Sequence, residues 1–124
     1  MSKEIRSFQD LEVYQLSIEL AKSIYSVIAD FPKSEKFALT DQLIRAVNSI
    51  GANIAEGFGR YHTKDFVRFL YNSRGSLAET HHHLIMAKEL KYLRDKEFVN
   101  LEKEIKTLSV KLNNLITSLM RKSR

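Results

Sequence analysis

Three consecutive histidines, His81, His82 and His83, are the first residues whose type suggests chemistry. On a helix, successive side chains point about 100° apart, so these three cannot converge on one ion. A helical metal site places its ligands three or four residues apart, as in H-E-x-x-H. Glu79 and His83 meet that spacing. A di-iron bundle, however, needs Glu-x-x-His on each of two helices and further glutamates, and that set is missing. The sequence therefore calls for no metal and no cofactor. Glu56 and Glu79 have the residue type of an acid–base pair, but no nucleophile accompanies them. Salt bridges or buried polar contacts in an interface account for them equally well. Gly57-Phe58-Gly59 is not a phosphate loop, because it lacks the Gly-Lys-Ser/Thr ending and follows a helix instead of a strand. The chain has no cysteine, which removes disulfides, thiolate metal sites and thiol nucleophiles together. Catalytic residues are not indicated, and the chain reads as a non-enzyme.

The basic residues carry more weight. The net charge is +5, and the excess is uneven. Residues 57–74 hold Arg60, Lys64, Arg68 and Arg74 against Asp65, with Tyr61, Phe69 and Tyr71 interleaved. Residues 101–124 add Lys103, Lys106 and Lys111 and a terminal Arg121, Lys122 and Arg124 against Glu102 and Glu104. The first 31 residues are net acidic, and the remaining segments balance. Phosphate binding with occasional base stacking uses these residue types. A solvated face with aromatic side chains in the core uses them too. For the cluster as a whole we read Arg60, Lys64, Arg68, Arg74, Lys103, Lys106 and Lys111 as candidate nucleic-acid contacts.

These residues must be positioned by helices. One proline and four glycines in 124 residues are too few breakers for a sandwich or barrel and suit long helices with short loops. Asp10 is the expected cap of a first helix over about 10–29. Leu11, Tyr14, Ile18, Ala21, Tyr25 and Ile28 form one apolar stripe on it, and Val13, Leu16, Leu20, Ile24 and Val27 form another. That arc is wider than one bundle face needs, which means either deep burial or a second packing partner. Phe31-Pro32 breaks the chain. Ser34 then caps a second helix over about 35–58, with Leu39, Leu43, Val47, Ile50 and Ile54 on its inner face. Gly57 and Gly59 are expected to end it in a left-handed turn. Thr63 caps a third helix over about 64–90, and a fourth covers about 96–120 with a heptad seam at Leu101, Ile105, Leu108, Leu112, Leu115 and Leu119.

The outward sides of the second and third helices hold Arg45, Ser49, Asn53, Glu56, Asn72, Gly75, Ser76 and Glu79. Small side chains let another backbone come close, so these residues are candidates for an oligomer or helix-packing interface. A four-residue loop makes the two helices antiparallel neighbours, with Ser49 level with Ser73. The whole chain reads as one all-α domain, an antiparallel up-down-up-down four-helix bundle. Residues 1–7 form a loose arm pinned by Phe8. The charged start MSKEIRSFQDLE lacks the apolar run of a signal peptide, and no stretch approaches the roughly 20 apolar residues of a membrane span. A cysteine-free chain of this kind fits a cytoplasmic location.

The segments FQDLEVYQLSIELAKSIY, DQLIRAVNSIGANIAEGFGR and FVRFLYNSRGSLAE occur in that order with short gaps. They resemble the bacterial four-helix bundle proteins encoded in 23S ribosomal RNA intervening sequences, a superfamily that includes the accessory variability proteins of diversity-generating retroelements. Asn53–Arg60 and Arg74–Glu79 are the most specific parts, and Tyr14 stands where the family pattern has Trp. The resemblance implies a four-helix bundle and, as among relatives, a homopentameric ring. It implies no catalytic residue. The retroelement branch implies binding of nucleic acid and of a reverse transcriptase, and a ribosomal RNA insertion suggests a link to RNA. The expected function is that of a non-enzymatic, oligomeric nucleic-acid-binding or accessory protein. The competing reading is a structural or protein-interaction module. A small nuclease would need convergent carboxylates or a histidine base, and the sequence shows neither.

Overall fold

The computed structural model describes residues 4–122. Residues 1–3 of the expected arm and Arg124 of the expected basic end lie outside the described residues. Four helices follow one another: α1 (Glu12–Ile28), α2 (Leu39–Phe58), α3 (Thr63–Glu89) and α4 (Asp95–Lys122). Short 3-10 turns at Phe8–Asp10 and Lys33–Glu35 precede α1 and α2. The described residues contain no strand, and no described helix is long and apolar enough to cross a membrane.

Each helix touches two neighbours, α1 with α2 and α4, and α3 with α2 and α4. Contacts run in opposite chain order across each pair, as in antiparallel neighbours. Between α3 and α4, Tyr71 meets Met120, Arg74 meets Asn113, and His81 meets Glu102. Between α2 and α3, Phe58 meets Phe66 and Ser49 meets Ser76. Between α1 and α4, Glu12 meets Lys111 and Ser23 meets Glu104. The shared core is aliphatic, with Leu20, Ile24, Leu43, Ile50, Ile54, Leu70, Leu84, Leu108 and Leu112 fully buried. In α4 the seam is centred on Leu101, Ile105, Leu108, Leu112 and Ile116, while Leu115 and Leu119 are only partly buried. A 3.6-residue turn drifts against a strict heptad and brings Ile116 inward.

Several expected helix ends differ from those observed. α2 begins at Leu39, four residues after the expected start at 35. Ser34 lies inside the 3-10 turn and does not cap the helix. Ala38, at φ −122° and ψ −106°, interrupts the helical path. Glu35 instead reaches forward, accepting the Leu39 amide (3.3 Å) and the Tyr92 hydroxyl (2.9 Å). Asp10 closes a capping box with Ser7 on the 3-10 turn, so α1 starts two residues later, after Leu11. Thr63 is the first residue of α3, and His62 holds the cap position without a side-chain cap bond.

Gly59 caps the C-terminus of α2, but the helix does not end in the expected left-handed turn. Gly59 sits at φ −78°, and no described glycine has a positive φ. Gly57 is buried inside α2, where a Cβ would lie 2.6 Å from the Phe69 Cβ and 3.3 Å from the Phe66 carbonyl oxygen. Its role is close approach of α2 to α3. Gly51 does the same against α1, where a Cβ would lie 2.8 Å from the Ser17 hydroxyl. The only described non-glycine residue with positive φ is Lys91, at 65°.

Candidate functional site

The turn between α2 and α3 gathers part of the basic set. α2 ends at Phe58 and α3 starts at Thr63, so Gly59–His62 must reverse the chain in four residues. Arg60 folds back along α2, within 3.5 Å of Glu56, and its guanidinium stands 4.8 Å from the centroid of the Phe69 ring. Arg68 pairs loosely with Asp65 at 3.7 Å and stands 5.2 Å from the same ring. Phe69 is itself buried, so it anchors two cations whose polar ends stay in water. Both ion pairs are exposed, and exposed pairs of this kind stabilise little. Lys64 is exposed and borders a shallow recess with His62, Thr63 and Asp65. Tyr61 is 95% exposed, with its ring edge-on to His62 at 5.0 Å.

The other basic candidates lie on different flanks. Arg74 donates to Asn113 of α4 (3.0 Å) and stands over the Tyr71 ring at 4.8 Å. It pairs with neither Glu56 nor Glu79, which meet Arg60 and His83 instead. Lys106 is exposed, on the same strip of α4 as Glu102 and Asn113. Lys103 borders the α1–α4 groove beside Leu16 and Glu19, and Lys111 pairs with Glu12 of α1 at 3.3 Å. The structure therefore brings Arg60, Lys64 and Arg68 to one turn. Arg74 and Lys106 lie on the α3–α4 flank, and Lys103 and Lys111 on the α1–α4 flank.

The small-residue set also divides. Ser49, Asn53 and Ser76 make a half-buried polar seam between α2 and α3. Asn53 donates to the Ser49 carbonyl (2.8 Å) and hydroxyl (3.0 Å), and Ser76 donates to the Ser49 hydroxyl at 3.1 Å. Below it, buried Ser73 donates to the Ile50 carbonyl at 2.8 Å. Arg45, Glu56, Asn72, Gly75 and Glu79 are exposed. Arg45 pairs with Asp41 on its own helix at 2.9 Å, and a Cβ on Gly75 would meet nothing within 4 Å.

The histidines do not meet. His81 bonds Glu102 of α4 at 3.0 Å, and His83 bonds Glu79 at 3.3 Å. Among the described residues no group of three or more His, Asp or Glu is placed to hold a metal. Perturbed carboxyls lie on α4, away from the α2–α3 turn. Desolvation raises the pKa of Glu104 above its ordinary value, against the Ser23 hydroxyl bond and with help from the Glu19 charge. Hydrogen bonds from the Arg94 side chain and backbone lower that of Glu97. Sequence reasoning missed the cross-helix contacts of Gly51 with Ser17, His81 with Glu102 and Glu35 with Tyr92. Gly51, a glycine within a helical run, was the one available signal.

The family described as "23S rRNA-intervening sequence protein" matches over residues 9–114. No curated protein matches the chain. A solved structure with TM-score 0.75 and 23% identity covers 84% of this chain and 97% of its own. It is a protein of unknown function from the S23 ribosomal protein family of Bacteroides thetaiotaomicron. At that identity the likeness concerns the fold.

Proposed function

Since the chain belongs to the 23S rRNA-intervening sequence protein family, we propose that it is a non-enzymatic, self-associating protein that binds RNA or DNA with little sequence preference. The observation that carries this reading is the turn where Arg60, Lys64 and Arg68 stand exposed, two of them held over one anchored ring. Guanidinium and ammonium groups in water-exposed pairs are suited to phosphate, and they read charge, not sequence. Arg74 and Lys106 on the α3–α4 flank and Lys103 and Lys111 on the α1–α4 flank would be met by a long strand wrapping an assembly.

A filter-binding titration at low and moderate salt tests the reading. Binding is expected to fall steeply with salt, because each phosphate contact releases a counterion. Changing Arg60, Lys64 and Arg68 together to Glu is expected to weaken binding to every sequence and to flatten the salt slope, with the helical fold intact. No binding by the intact protein at low salt would discard this reading and leave a protein-interaction module, which the exposed apolar flank of α1 would suit.

A further inference from the structure

Tyr61 is 95% exposed, more than any other large apolar side chain among the described residues, and it sits in the middle of the cationic turn. We propose that Tyr61 is a stacking platform for an unpaired base, so that the nucleic acid taken by this turn is single-stranded. The inference rests on the proposed nucleic-acid reading and names the form of nucleic acid that the same turn accepts.

Three features of the turn point to an unpaired strand. His62 meets the Tyr61 ring edge-on, while the ring's near-complete exposure leaves a face free for a base. Arg60 precedes the ring directly, Lys64 follows three residues later, and Arg68 lies one helical turn beyond, all exposed. The guanidiniums of Arg60 and Arg68 both lie within 5.2 Å of the Phe69 centroid. The two guanidiniums thus converge on the buried Phe69 ring, and the exposed Tyr61 ring belongs to the same short turn, next to Arg60 in the chain. A duplex backbone would be better met by a row of cations, yet the remaining basic residues sit on separate flanks of the bundle. Inside a duplex, base faces are already stacked on one another, whereas the recurring design for single strands is a charged groove with an aromatic face.

Phe37 provides an internal contrast. It is 87% exposed beside Lys36, but it sits before α2, at the opposite end of that helix from the Tyr61 turn. Lys33 and Lys36 there are balanced by Asp30 and Glu35. An exposed ring without a cationic excess is not expected to bind a strand.

The test uses fluorescence anisotropy with fluorescein-labelled single-stranded RNA and single-stranded DNA of one mixed sequence, and with the blunt duplexes made from them. Tyr61→Ala is expected to weaken single-strand binding about 5- to 150-fold, the range found when a base-stacking aromatic is removed. Duplex binding is expected to change less than about twofold, since phosphate contacts remain. Tyr61→Phe should retain single-strand affinity, and Tyr61→Leu, which keeps bulk without a π face, should not. Phe37→Ala should bind as the unaltered protein does. A preference between the RNA and DNA strands would identify which of them the turn serves. If the unaltered protein binds but Tyr61→Ala costs nothing on single strands, or costs the same on duplex, the stacking inference is overturned and the phosphate reading stands. If nothing binds, both fall. Circular dichroism melts of each variant, expected to be unchanged for so exposed a side chain, guard against a folding artefact.

Discussion

Two glycines in this chain make opposite demands on a methyl group. At Gly57 an added Cβ would lie 2.6 Å from the Phe69 Cβ, an atom fixed to the α3 backbone. Gly57→Ala is therefore expected to destabilise the fold by about 1–3 kcal/mol, the usual range for overpacking, as read from denaturant melts. At Gly75 the same methyl meets nothing. Within one chain Gly75→Ala should stabilise by up to about 1 kcal/mol, since glycine is a poor helix former. A loss there would have to come from contact with another molecule. A third residue gives a pH signature. Burial holds the Glu104 pKa above its unfolded value, so ionising this carboxyl opposes folding. The opposition is absent below the unfolded carboxylate pKa, develops as pH rises through it, and is complete above the raised folded value. Glu104→Gln keeps an acceptor for the Ser23 hydroxyl. It is expected to raise the melting temperature at neutral pH and to lose that advantage in acid. Glu97 has the opposite sign, since its lowered pKa makes its contribution present at neutral pH and lost on acidification.

At the level of elements, the end of α3 is closed by a residue that suits it poorly. The Tyr92 amide donates to the Ala87 carbonyl at 2.8 Å and the Lys91 amide to Lys88 at 2.9 Å. With Lys91 at φ 65°, this is a Schellman ending that normally takes glycine. Lys91→Gly is expected to raise stability by roughly 1 kcal/mol, the order of the left-handed penalty for a residue with a Cβ, which thermal melts would show. The helices themselves were legible because Leu43, Val47, Ile50 and Ile54, or Leu101, Ile105, Leu108 and Leu112, repeat at helical spacing and bury the same face. Their ends were less legible. Ser34 and Asp10 have the side chains of caps, but Asp10 closes a box with Ser7 on a 3-10 turn, and the segment around Ser34 has a long-range contact. Tyr92 holds Glu35 from 57 positions away. The basic cluster was legible only as composition. Sequence gives Arg60 and Arg68 as cations, whereas their convergence on Phe69 depends on how the turn folds back. For the same reason Arg74 and Lys111, alike in charge, face different flanks.

For the whole molecule, the wide apolar arc of α1 has a consequence that one chain does not absorb. The bundle buries Val13, Leu20 and Ile24, while Ile18 is left 41% exposed and Tyr25 46% exposed, the latter bonded through its hydroxyl to Asn48 of α2. The proposed self-association would cover this flank. A heterologous contact of the α1–α2 flank with a different flank of the next copy closes into a ring if the rotation permits, and a pentamer is the expected size. Light scattering at micromolar concentration measures it, and a folded monomer there would remove the proposal. Ile18→Lys separates assembly from charge. A lysine on an exposed helix position should leave the bundle folded but break an apolar contact, giving a smaller species. It also adds a positive charge, which by electrostatics alone would strengthen nucleic-acid binding. If the turn at Arg60, Lys64 and Arg68 acts through repetition around an assembly, the variant should instead bind a long single strand at least tenfold more weakly, because linking sites can raise the overall affinity by about 10²–10⁴ over that of one site. Binding of a strand too short to span two subunits should be unaffected. Equal loss on both strands would place Ile18 at the binding surface itself, and no loss on either would mean that each bundle binds alone.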